Sequence, residues 1–225
     1  MRDLLAACAF FLLIHFGVSG TRLRDALVKR LGEKPYRGLF SLASLGGMAW
    51  VIFAYRQAPY IATWGKWPAF RPAAYGLVFV AFLFAVIGLL TPSPTRVGLE
   101  SRLDPGSARG MTRITRHPFL WGVALWSATH LAVNGDAASL MLFGSFLALA
   151  LGGTLSIDSK RRRRYGRKWQ AFAEATSNVP FAALSRGSNR VAPALAEIGL
   201  WRPLIAIALF AIAFYLHGRL GSPLH

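Results

Sequence analysis

The sequence predicts an all-α fold, a polytopic transmembrane helical bundle of about six spans with short amphipathic helices on its surface. Three observations carry this expectation. The 225 residues are 54% hydrophobic and only 16% charged, with a mean hydropathy of +0.41, a balance that soluble domains seldom reach. The apolar residues gather into long runs instead of alternating with polar ones,. The Lys and Arg residues collect in every second connection, as they do in the cytoplasmic loops of membrane proteins. Residues 1–225 read as a single integral membrane domain.

The spans in order are Leu4 to Gly20, Leu39 to Tyr55, Ala73 to Leu90, Pro118 to Val133, Ala137 to Ser156 and Pro203 to His217. Several hold only about 15 to 18 residues against the roughly 20 that cross a bilayer upright, so end residues must snorkel or the membrane must thin. A count of five, with the last helix lying on the surface, is the alternative. The first span follows Arg2 as a signal peptide would, but it lacks a small-x-small cleavage site and contains His15, so it is expected to remain as a helix,. The connections after spans one, three and five carry most of the cations, among them Arg22 to Arg37, Arg96 to Arg116, and Lys160 to Arg202. That places both termini outside the cytoplasm, in what reads as a bacterial inner membrane. Orientation and contact with anionic headgroups account for the net charge of +17 without nucleic acid,.

Span one brings Cys8 and His15 to one helix face, with Gly17, Ser19 and Gly20 beyond them,. His15 is read either as a hydrogen-bonded packing residue or as a metal ligand. Cys8 is the one cysteine, which excludes an internal disulfide and a CxxCH haem attachment,. The connection TRLRDALVKRLGEKPYRGLF has Leu23, Leu27 and Leu31 at fourfold spacing between cations, the pattern of a helix lying on the membrane surface. Span two carries small residues from Ser41 to Gly47 for helix packing,. The segment after it is rich in Tyr60, Trp64, Trp67 and proline, the composition of a membrane interface. Span three has no internal ionisable group. The loop TPSPTRVGLESRLDPGSARG follows and is expected to fold over an entrance near His117,.

The stretch MTRITRHPFLWGVALWSATHLAVNGD, from Met111 to Asp136, anchors the functional reading. Arg113, Arg116 and His117 precede Pro118, which suits the first turn of a helix,. The basic cluster therefore sits at a helix mouth, where the macrodipole favours an anionic group. His130 lies about 18 Å further along the axis at 1.5 Å per residue. An imidazole at such depth is costly unless it is paired, lines a water-filled cavity or binds a metal. The span ends in the turn Asn134-Gly135-Asp136. After span five, Tyr165, Trp169 and Phe172 form one stripe of a helix whose other faces are basic. The stripe reads as an interfacial anchor, with a site role open because it emerges on the side of Arg116 and His117.

Three blocks, HFGVSGTRLRD, GEKPYRGLFSLASL and RITRHPFLWGVALWSATHLAVNGDAASLMLFG, resemble the NnrU family of bacterial membrane proteins, which is associated with nitrite and nitric oxide metabolism and so with denitrification. Extended by RRYGRKWQAFAEATSNVPFAA, they also resemble 15-cis-zeta-carotene isomerase, a haem b membrane enzyme of carotenoid biosynthesis. That resemblance implies iron ligated by His15 and His130, a lipophilic polyene substrate and haem-dependent cis–trans isomerisation. It also puts Ser127 where the isomerase has a cysteine proposed to switch ligands, so the switch does not carry over. By these spans His15 lies about 8 Å and His130 about 18 Å from the inner face, and a shared iron requires tilt to absorb about 10 Å. A non-catalytic membrane protein of nitric oxide metabolism is the second reading. The RHP block with a distal YG segment is also similar to isoprenylcysteine carboxyl methyltransferases, which bind S-adenosylmethionine at the cytoplasmic face. Those enzymes carry a glutamate pair before the basic run, where this chain reads Ile157-Asp158-Ser159-Lys160. Arg116, His117, Ser127, Asn134, Asp136 and Tyr165 are the expected site-lining residues.

Overall fold

The computed structural model describes residues 1–95, 99, 103 and 105–220. Arg96 and Arg102 lie outside them, as does part of the loop expected to cover His117. Among the described residues every regular element is helical, apart from an isolated bridge between Ala62 and Asp136. In chain order the helices are α1 (Arg2–Leu13), continued by a π-helical turn over Ile14–Ser19, α2 (Arg22–Leu31), α3 (Glu33–Gln57), α4 (Arg71–Leu90), α5 (Met111–Ile114), α6 (Pro118–Asn134), α7 (Ala137–Tyr165), α8 (Arg167–Ala175), α9 (Ala182–Ser185), α10 (Val191–Ile198) and α11 (Trp201–Leu220).

Among the described residues four helical stretches are long and apolar enough to cross a membrane: Arg2–Ser19, Glu33–Gln57, Pro68–Leu90 and Ala137–Tyr165. The pair Val191–Ile198 and Trp201–His217, bent by 69°, passes the same test when the two are taken together, which makes five if the pair is one span. The fourth expected span, α6, has 17 residues, about 25 Å of helix. The bundle is that of a polytopic membrane protein, with large apolar side chains such as Leu42 and Leu155 turned outward. Span five was expected to stop at Ser156, but α7 continues through the arginine run to Tyr165. Cations in a last helical turn are favoured by the macrodipole, so a basic run does not end a helix.

The chain packs as two compact units, Met1–Arg71 with Ser127–Ser156, and Pro72–Trp126 with Ile157–His225. In the first, Leu4, Ala7, Cys8 and Phe11 form the buried face of α1. A Cβ on Gly47 of α3 would stand 3.1 Å from the Phe10 ring, so the two helices approach closely there. Helix α2 is the expected amphipathic surface helix. Thr21 accepts from Leu23 N at its start, and it has no buried residue. In the second unit Ile87, Met111, Ile114, Ala194, Ile198 and Ala206 make one core cluster. Phe79 and Phe82 of α4 meet Phe210 of α11 edge-on. Gly122 of α6 lies against α4, where a Cβ would come within 2.7 Å of Ala81 O.

The turn before α7 is clamped by the segment that follows α3. Thr63 N and Gly65 N both donate to Gly135 O, and Ala137 N donates to Ile61 O. Gly135 has a φ of 59°, and a Cβ there would meet Gly65 O at 2.0 Å. Gly135→Ala is therefore expected to cost more than the roughly 1–2 kcal/mol of a left-handed non-glycine residue. Thermal unfolding in detergent checks this, and a variant as stable as the parent contradicts it.

Candidate functional site

The first unit holds His15 and His130. His15 sits in the π-helical turn Ile14–Ser19, and its Nδ1 lies 2.7 Å from Phe11 O. A carbonyl oxygen only accepts, so Nδ1 carries the proton and the lone pair of the neutral ring is on Nε2. The imidazole packs on Phe11 at 4.5 Å between ring centres and meets Phe40 of α3 edge-on at 5.3 Å. Phe11 in turn meets Phe146 of α7 at 5.9 Å. His130 stacks on Phe143 of α7 at 4.7 Å with a 27° interplanar angle. Phe143 and Phe146 are three residues apart, neighbours on one face of α7. Rings thus lead from each histidine to the same face of α7, at points about 4.5 Å apart in helical rise.

The other expected residues of this unit lie close to His130 in the chain. Ser127, one turn before it, is fully buried, and its Oγ has no hydrogen-bond partner. Asn134 Nδ2 donates to Ser139 Oγ at 3.0 Å, and Asp136 Oδ1 accepts from Ser139 N at 2.9 Å, capping α7,. Tyr55 of α3, which sequence reasoning passed over, shares a 2.9 Å hydrogen bond with Ser139 Oγ and sets its ring edge against Phe143. Only its place at the end of an apolar span pointed to it.

The second unit gathers Arg116 and His117 around a carboxylate. His117 precedes Pro118, which keeps it out of the helix, and its carbonyl accepts the first bond of α6 from Trp121 N. Its Nε2 is 2.6 Å from Asp158 Oδ1. Arg116 grips the same carboxylate, with Nη2 at 2.6 Å from Oδ2 and Nε at about 3 Å from both oxygens. The side chains are 12% exposed for Arg116, 14% for Asp158 and 1% for His117. Burial pushes the His117 pKa below its ordinary value, against the pull of Asp158; the ionised carboxylate only accepts, so Nε2 carries the hydrogen of this bond,. Asn178 approaches Asp158 at 3.5 Å and accepts from Trp121 Nε1. Thr95 Oγ1 donates to Arg116 O, and Arg161 donates to Thr95 O. Arg113, the third cation of the run, turns away to a two-point pair with Glu197.

The aromatic stripe lies where its spacing put it, with a different neighbour. Trp169 is 1% exposed and Phe172 fully buried, packed with Leu103 and Ala108. This overturns the interfacial-anchor expectation for the stripe, because protein and not lipid covers that face. Trp169 lies under the Arg116 guanidinium at 5.9 Å. Tyr165 is half-buried and flanked by Arg161 and Arg164. His217 is exposed on α11. Among the described residues no three His, Cys, Asp or Glu side chains cluster as a metal site.

Two proteins named 15-cis-zeta-carotene isomerase, chloroplastic, are similar to this chain. That of Arabidopsis thaliana is 26% identical and that of Zea mays 25% identical, each over 214 residues. The match covers 91% of this chain and 56% of each relative, so the chain spans just over half the length of the curated relatives it matches. No solved structure matches the chain. The NnrU protein family matches residues 3–223, and the chain belongs to that family.

Proposed function

We propose that the protein is a haem-b membrane isomerase, with His15 and His130 as the iron ligands and a lipophilic polyene such as 15-cis-zeta-carotene as substrate. The observation that supports it most directly is the His15 ring. Its Nδ1 hydrogen is committed to Phe11 O within a π-helical turn, which leaves Nε2 as the coordinating atom. A hydrogen bond from the ring nitrogen that does not bind the metal fixes the tautomer of a ligating histidine, and π-turns inside α-helices recur at functional sites. The isomerase relatives supply the reaction class.

The residues fit the group. Neutral imidazole suits haem iron, and a b-type haem in a helix bundle needs such side chains and an apolar pocket. Phe11 and Phe40 pack on His15, Phe143 stacks on His130, and Phe146 meets Phe11. Ser127 Oγ is a buried hydroxyl without a partner one turn from His130. When bound, a ferrous haem supplies an iron centre that interacts with a cis double bond and lowers its rotation barrier. The chain's own part is to hold the ligand with two imidazoles and to keep water away with the phenylalanines.

The test is a purified preparation from cells supplied with haem. A Soret band, iron on elemental analysis and isomerisation of 15-cis-zeta-carotene are expected. A colourless, iron-free protein sinks the haem assignment. Haem without isomerisation moves the reading to a non-catalytic haem protein of nitric oxide metabolism.

In this reading the protein spans a bacterial inner membrane, with the basic connections cytoplasmic and both termini on the other side. The Asn134–Asp136 turn precedes α7 and the Arg161–Arg164 run lies in its last turns. Cysteines placed at Lys66 and Arg163 should react with an impermeant reagent from opposite sides of sealed vesicles. Labelling of both from one side contradicts the topology.

A further inference from the structure

The segment from Tyr60 to Trp67 joins two membrane-spanning stretches, Glu33–Gln57 and Pro68–Leu90. It runs along the turn between α6 and α7 and is held there by its main chain. Thr63 N and Gly65 N donate to Gly135 O at 2.9 and 3.0 Å, Trp67 N to Val133 O at 3.4 Å, and Ile61 O accepts from Ala137 N at 2.8 Å. Trp64 adds a side-chain bond to Ala132 O. With these backbone groups satisfied, the segment can lie against an apolar medium without the usual cost of orphaned amides.

Its large side chains face outward. Tyr60 is 39% exposed, Ile61 49%, Trp64 55% and Trp67 57%. The cations lie at the edges: Lys66 reaches over the Tyr60 ring, and Arg56 and Arg71 are exposed at the two ends. We infer that this strap is a membrane-interface anchor whose partner is the headgroup and upper acyl layer of one leaflet. Both ends of the strap continue directly into spans, so its exposed rings lie next to lipid-facing surface at the boundary where tryptophan and tyrosine concentrate. Pinning the strap there also pins the Asn134–Asp136 turn, and with it His130, four residues or about 6 Å down the helix. The inference does not depend on haem.

Depth can be measured in phosphatidylcholine vesicles with a nitroxide at Ile61→Cys or Trp67→Cys, neither of which removes a main-chain bond of the strap. The native Cys8 is buried and stays out of the labelling. Collisions with oxygen should exceed those with a water-soluble nickel chelate at both positions, at a depth near the headgroup boundary. Chelate collisions as frequent as for a nitroxide free in water overturn the proposal. Exclusion of both reagents, the signature of cover by protein or by a second copy, overturns it as well.

Discussion

His15→Ala and His130→Ala should each abolish or strongly shift the Soret band, while the protein still inserts and His217→Ala leaves the spectrum untouched. Insertion is decided by the apolar spans, which single alanine substitutions hardly change. The folding cost should also be small. His15 bonds to a carbonyl of its own helix, four residues back, so its loss breaks no interhelical hydrogen bond at that atom. The rival account, in which both imidazoles serve packing alone, predicts a stability loss of about 1 kcal/mol for a membrane hydrogen bond and no spectral change. The two accounts therefore separate on different instruments. Unchanged haem content in both variants would remove the ligand assignment even if the wild-type protein binds haem.

Much of the helical architecture was legible because apolar run length is a one-dimensional signal. Pro118 marked the start of α6, and the fourfold leucine spacing marked α2. The Tyr165, Trp169 and Phe172 spacing was equally plain, but periodicity says only that a face is apolar, not whether lipid or protein covers it. Asp158 went unread as a partner, since the sequence offered it only as the place where a glutamate pair is missing. Its bonds to Arg116 and His117 cross 42 and 41 residues, a separation at which no local pattern speaks. The division into two units was also invisible. It falls within α6, between Trp126 and Ser127 in an unbroken apolar run, and within α7 just before the charged stretch from Asp158, a change in composition that reads as the end of a span and not as a boundary between packed units.

Asp158→Ala is expected to be the most destabilising single change in the second unit. It strips the carboxylate from Arg116, whose side chain is 12% exposed, and leaves a buried guanidinium with one weak bond to Ala173 O at 3.4 Å and the Trp169 face. Breaking a buried pair from one side costs about 3–5 kcal/mol. For a chain of this size that corresponds to a fall in Tm on the order of 10 °C. The more exposed pair Arg24–Glu33, at 21% and 35%, provides the internal contrast, since Glu33→Ala should cost less than about 1 kcal/mol. Arg116→Ala removes the charge itself and leaves Asp158 with the His117 Nε2 hydrogen and Asn178. The double variant Arg116→Ala/Asp158→Ala should accordingly lose much less than the sum of the two single changes, a coupling that a double-mutant cycle reads directly. Additive losses, or a Tm for Asp158→Ala within a degree of that for Glu33→Ala, would show that water screens the cluster and that it does not hold α6, α7 and the Asn178 segment together.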